Sequence, residues 1–202
     1  MKKIYFLILL GFQFNNVFGQ SSLQFYNSGK VKFEKGLYKE SIIEFTRAIK
    51  LNSKFSDAYR NRGDAKALLK DYSDAISDYT KAIENNANNS VAYLERGLSK
   101  NELKDFPGAI SDYDKAIQID SQFEEAYYCR GHSKDKLQDY KGAIIDFTKS
   151  ISISPNDGYA YSSRGIEKNK IGDRKGAISD WEKAVELGNE SAKVLIKDNP
   201  DL

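Results

Sequence analysis

The chain has 202 residues, with 31 Lys and Arg against 29 Asp and Glu, a formal net charge of +2. Lys2 and Lys3 account for that excess, because residues 1–19 hold no acid; the neutral remainder removes the electrostatic case for nucleic acid or for an anionic membrane. Hydrophobic residues at 40% and charged ones at 30% are ordinary for a soluble helical protein, while one His and one Cys exclude the common zinc patterns and any internal disulfide.

The chain opens on a stretch unlike the rest. Residues 1–20, MKKIYFLILLGFQFNNVFGQ, have a basic start, an apolar run over 4–12 and a small residue at Gly19. That pattern reads as a signal peptide over residues 1–19, cleaved before Gln20; the alternatives are an uncleaved anchor, for which the run is short, and an accidental apolar start. No Cys lies near the cleavage point to carry a lipid. The Lys-, Asn-, Ile- and Tyr-rich composition fits an AT-rich bacterial source, which makes the expected compartment periplasmic or extracellular.

From Ser22 onward the sequence repeats every 34 residues. Gly29, Gly63, Gly97, Gly131 and Gly165 share one column, and Lys32, Lys66, Lys100, Lys134 and Lys168 another. Ser41, Ala75, Ala109, Ala143 and Ala177 form a third, and Phe45, Tyr79, Tyr113, Phe147 and Trp181 a fourth. Within a unit, Tyr59, Arg62, Gly63 and Lys66 lie on one helical face, and Tyr72, Ala75, Ile76, Tyr79, Ala82 and Ile83 on another. Lys70-Asp71 is the break between them, short enough to force an antiparallel helix pair.

The helices expected in order are 22–34 and 38–51, 56–69 and 72–85, 90–103 and 106–119, 124–137 and 140–153, 158–171 and 174–187. Pro107 falls in a first helical turn, where its missing N–H costs little, and Pro155 closes the fourth unit. Gly188-Asn189 break the pattern before a short helix over 191–198, which is expected to cover the apolar end of the array. The glycine and alanine columns allow close helix approach, and the aromatic column is expected to fill the gap between repeats.

Tyr59, Gly63, Leu69, Tyr72, Ala75, Tyr79 and Ala82, with their equivalents in the other copies, resemble the tetratricopeptide repeat family, whose unit is a 34-residue helix, turn and helix. The resemblance implies an all-α, right-handed solenoid of five repeats over residues 22–189, bounded at 22–55, 56–89, 90–123, 124–157 and 158–191, with a capping helix and tail in 190–202. Two departures are visible. Arg62, Arg96, Arg130 and Arg164 stand where the family pattern is usually apolar, and the closing proline survives only as Pro155.

Nothing forms a catalytic constellation. His132 has no obvious nucleophile, Gly108, Gly142 and Gly176 merely recur with the repeat, and neither cofactor nor metal is expected. Cys129 reads as a small half-buried helix residue, or as a lone thiol without a second to support it. The acids Glu44, Asp78, Asp112, Asp146 and Asp180 precede the aromatic column by one residue. They would form an ion-pair ladder with the arginine and lysine columns; alternatively, the bases form a stripe for an acidic partner.

Function is sought in the columns that vary. In proteins of this resemblance, first helices line a concave groove that binds peptides, and the matching positions here are Tyr26, Arg60, Asp64, Val91, Leu94, Leu98, Tyr128, His132, Tyr159 and Ile166. Leu94 and Leu98 are expected to be free on that face; the alternative is that some of these side chains pack against the neighbouring first helix. The family's clamp for a peptide carboxylate is not expected, since its places hold Tyr26, Lys30, Glu95, Glu125 and Cys129. The resulting expectation is an exported, non-enzymatic scaffold. It binds another protein or peptide, not nucleic acid, stays out of the membrane once its leader is removed, and is monomeric until bound. The rival is an assembly factor of an envelope complex acting by repeat–repeat stacking.

Overall fold

The computed structural model describes residues 21–199, and within them every regular element is a helix. They are α1 (21–34), α2 (Tyr38–Leu51), α3 (Ser56–Leu68), α4 (Tyr72–Asn85), α5 (Ser90–Glu102), α6 (Phe106–Ile119), α7 (Glu124–Lys136), α8 (Tyr140–Ile153), α9 (Gly158–Lys170), α10 (Arg174–Glu186) and α11 (Ala192–Lys197). The leader expected over residues 1–19 lies outside the described residues. None of the described helices is long and apolar enough to cross a membrane.

Helices α3, α5, α7 and α9 stop one residue earlier than their apolar period predicts, and the turn that follows explains why. The amide of Lys70 donates to the carbonyl of Ala67 at 2.8 Å and that of Asp71 to Lys66 at 2.9 Å, the paired bonds of a Schellman end. The same pair recurs from Gly36 and Leu37, Lys104 and Asp105, Gln138 and Asp139, and Gly172 and Asp173. The motif needs a left-handed residue. Gly36 (φ 74°) and Gly172 (φ 85°) supply it without strain, whereas Lys70, Lys104 and Gln138 adopt φ of 62–65° with a side chain.

The next helix starts on the same few residues. Asp105, Asp139 and Asp173 cap α6, α8 and α10 by accepting from the amides of Gly108, Gly142 and Gly176 at 3.0 Å. A Cβ on those glycines would stand 2.0–2.2 Å from the capping carboxylate. These glycines therefore do more than recur: they admit the cap. Where Asp74 replaces the glycine, Asp71 makes no side-chain cap.

Each hairpin closes on a glycine meeting a ring. A Cβ added to Gly63 would lie 2.7 Å from Tyr79, one on Gly131 2.8 Å from Phe147, and one on Gly165 2.5 Å from Trp181. The aromatic column, expected between repeats, thus seats first on the glycine of its own repeat. All of Phe45, Tyr79, Tyr113, Phe147 and Trp181 are buried, as are Ala75, Ala109, Ala143 and Ala177.

The ion-pair ladder is present, and it reaches further than the sequence led us to expect. Two compact units make up the chain, Met1–Ser99 and Lys100–Leu202. In the first, Asp78 accepts from Arg62 at 2.5 and 2.9 Å and lies 2.9 Å from Lys66, while Glu44 takes Lys32 at 2.6 Å. In the second, Asp146 binds Arg130 (2.6 and 2.9 Å) and Lys134 (2.8 Å), Asp180 binds Arg164 and Lys168 likewise, and Asp112 takes Lys100 at 2.8 Å. The acids are buried.

Each arginine of this column also has a partner one repeat back. Arg62 donates to Thr46 at 3.0 Å, Arg96 to Thr80 at 3.1 Å, Arg130 to Asp114 at 2.5 Å and Arg164 to Thr148 at 3.2 Å. Their guanidinium groups also lie 5.4–5.5 Å from the rings of Tyr59, Tyr93, Tyr127 and Tyr161. An apolar residue at these positions could pack but could not tie a hairpin to its predecessor. At the end of the second unit, Ala192, Leu195 and Ile196 of α11 close over Trp181 and Ala184.

The turn geometry has a measurable consequence. Gln138→Gly is expected to relieve the left-handed strain and stabilise the fold by about 1 kcal/mol, and Gly172→Gln to destabilise it by a similar amount. Urea midpoints moving in the same direction for both would contradict this description of the turns.

Candidate functional site

With the recurring side chains committed to hairpin and stack, the varying positions of the first helices are left to present a surface. In the first unit, Tyr26 is half-buried, its ring 4.8 Å from Phe55 and 5.9 Å from Phe45, and its hydroxyl accepts from Asn61 at 3.0 Å. Arg60 and Asp64, one turn apart on α3, pair at 2.9 Å. Burial raises the Asp64 carboxyl above its ordinary value, and Arg60 only partly offsets that. Two open cavities adjoin this pair. One of ≈ 300 Å³ has Tyr26, Lys30, Glu34 and Arg60 among its walls. The other, of ≈ 340 Å³, is lined by Phe33, Asp64, Ala67, Leu68, Tyr79 and Glu95. They share Phe33 and Asp64.

Leu94 does not belong to this surface. It is 2% exposed and part of the core, against the expectation that it lies free beside Leu98, which is half-buried. The reason is its place three residues before Gly97, on the face of α5 that carries the glycine. Tyr26 and Tyr128 occupy the equivalent positions and turn in the same way, Tyr26 towards Phe45 and Tyr128 to 5.7 Å from Phe147. Val91, one turn earlier, is 39% exposed.

In the second unit Tyr128, His132 and Phe147 form an aromatic triangle, with His132 4.6 Å from Tyr128 and 5.0 Å from Phe147. Burial lowers the His132 pKa below its usual value, so this ring is a neutral packing element near pH 7. Ile166 packs against the Trp181 cluster. Tyr159 stands out with 66% exposure. Lys170 bridges Glu167 (3.0 Å) and Asp135, while burial raises the Glu167 carboxyl.

No group of three His, Cys, Asp or Glu among the described residues is placed to hold a metal, and Cys129 is half-buried in α7. What the arrangement can do is hold a chain segment against polar and apolar side chains on rigid helices. Two features escaped the sequence reading, a column that recurs at the repeat period and a hydrogen-bond partner present in one repeat and absent from another. One is the column Thr46, Thr80, Asp114 and Thr148 that receives the arginines. The other is position 67/101: Asn101 donates to the Tyr113 hydroxyl at 3.1 Å, whereas Ala67 offers Tyr79 nothing.

Profiles of the tetratricopeptide repeat match residues 26–90, 99–135 and 124–157, together more than half of the chain. No curated sequence matches. Among solved structures, MamA is similar at 24% identity over 87% of this chain and 96% of its own, with a TM-score of 0.79. YrrB, described as a TPR protein with an unusual peptide-binding site, shares 16% identity over 86% and 90%, with a TM-score of 0.75. The first TPR domain of Spaghetti (RPAP3), bound to the HSP90 peptide SRMEEVD, shares 25% over 59% and 95%, with a TM-score of 0.59. By sequence profile and by fold, this chain belongs to the tetratricopeptide repeat family.

Proposed function

We propose that this chain is an exported scaffold that binds a polypeptide segment along the face of its first helices and performs no catalysis of its own. A repeat fold of this family is a protein-interaction scaffold, and the peptide held by the RPAP3 domain illustrates the mode. The observation that carries the reading is the pair of open cavities whose walls come largely from α1 and α3. These helices are fixed by their ion pairs to the second helices, so a bound segment would meet a preorganised surface with little ordering cost. Export rests on the basic start and apolar run that end at Gly19.

Val91→Asp together with Tyr159→Asp places charge on two exposed first-helix positions and is expected to leave helical content and the unfolding midpoint nearly unchanged. It should abolish capture of partner by the immobilised chain, whereas Ser77→Asp with Ser111→Asp, on exposed positions of α4 and α6, should not. Undiminished capture by the first variant would refute binding on this face. The free chain should run as a monomer in light scattering; concentration-dependent growth would favour assembly by repeat stacking. For export, N-terminal sequencing of the protein from its native host should read Gln20 first, and an intact Met1 on a membrane-bound species would overturn the leader.

A further inference from the structure

In the second unit, neighbouring first helices are joined by a hydrogen bond between two variable columns. The Ser133 hydroxyl of α7 donates to Oδ1 of Asn101 at 2.9 Å. One repeat further on, the same two columns hold Glu167 and Asp135. Two carboxyl groups have replaced a hydroxyl and an amide, and two ionised carboxylates offer each other acceptors only.

Glu167 is 4% exposed. Its Oε1 takes Lys170 at 3.0 Å, and the same ammonium donates to Oδ1 of Asp135. Oε2 is buried and accepts from no nitrogen or hydroxyl among the described residues. The Asp135 side chain lies within hydrogen-bonding reach of Glu167, and a bond between them needs a proton on one of the two. One ammonium over two carboxyl groups leaves a net negative charge when both are ionised, and none when one keeps its proton.

Other charges nearby do not relieve this pair. From α7, Lys136 stands 3.8 Å from Asp135 Oδ2, and His132 is close enough to feel the Asp135 charge. Lys170 lies 5.0 Å from the Tyr140 ring of α8. Lys168, next to Glu167 in sequence, is turned to Asp180 of α10, and the segment after α11 meets α9 through the uncharged Asn199. Burial raises the Glu167 carboxyl above its ordinary value; Lys170 opposes this and Asp135 adds to it.

We infer that Glu167 and Asp135 hold one proton between them, Glu167 donating to Asp135 beside the Lys170 ammonium, and that this shared proton is a pH-sensitive clasp between α7 and α9. As the pH rises the proton leaves to solvent, and the hydrogen bond gives way to two facing carboxylates that one ammonium does not balance. The folded chain holds this proton more tightly than the unfolded one. The clasp's contribution is therefore complete below the ordinary glutamate value of about 4.3 and is lost as the pH rises through the value in the folded chain. Because α9 carries Tyr159 and Ile166, the clasp sets how firmly that part of the first-helix face is held. It stands independently of what that face binds.

The test is a titration of the full chain labelled with carbon-13 at its side-chain carboxyl groups. Glu167 is expected to titrate above the other exposed glutamates and in step with Asp135, since the two share their macroscopic transitions. Asp135→Asn, whose amide can donate to an ionised Glu167, should bring the Glu167 midpoint down. Glu167→Gln keeps a donor at every pH; its Tm should match the parent at about pH 4 and exceed it by about 2–4 °C at about pH 8. Amide protection in α9, corrected for intrinsic exchange, should fall over the same range in the parent and stay level in Glu167→Gln. A Glu167 midpoint among the exposed glutamates would overturn the shared proton, as would one unmoved by Asp135→Asn. A Tm difference or an α9 protection that does not change with pH would overturn the clasp. Should a variant fail to fold, the titration of the parent still decides.

Discussion

A carboxylate buried between two helices is expensive unless cations come with it. In this chain Asp78, Asp146 and Asp180 are each met by a guanidinium and an ammonium from the first helix of their own repeat. The forked geometry of arginine lets one side chain grip the acid through two nitrogens and still offer a third to the preceding repeat. Around Arg130, burial works against the charge, but Asp146 and Asp114 together hold its pKa above the ordinary value. The same group thus closes the hairpin and fixes its spacing to the hairpin before it.

Other features follow from that arrangement. The helices of a hairpin approach closely because glycine faces an aromatic ring, and this proximity brings the lysine and arginine heads within reach of the acid. The turn must then be short, and the Schellman end followed at once by an aspartate cap supplies it within a few residues. Positions excluded from all three devices are free to vary. They gather on the first helices, where two open cavities adjoin Asp64. The binding chemistry proposed for this chain therefore lies in departures from the repeat, on a frame that the recurring residues hold in place.

Much of the frame was legible because packing demands recurrence. A period of 34 residues gave the helices, and the acid column one residue before the rings gave the ladder. The ties from Arg62 to Thr46 and from Arg130 to Asp114 were not read, although their columns recur, because they join a first helix to the second helix of the preceding repeat. Leu94 stands in a column that varies and is nevertheless buried, so variability here does not report exposure. Its distance of three residues from Gly97 already put it on the glycine's face, and leucine there is one of several side chains, including Tyr26 and Tyr128, that fill the same seam. The cavities beside Asp64 were not legible for a different reason: they arise only when α1 and α3 come together in three dimensions.

The central claim is that the buried acids hold the hairpins through specific pairing and are not merely solvated charges. A double-mutant cycle on Asp146 and Lys134, with urea unfolding of the parent, Asp146→Asn, Lys134→Met and the double variant, tests it most directly. Asp146→Asn alone should cost on the order of 3–5 kcal/mol, since it strands buried cations, and the second substitution should recover part of that loss, giving a coupling of about 1 kcal/mol or more. Additive effects with zero coupling would contradict the account.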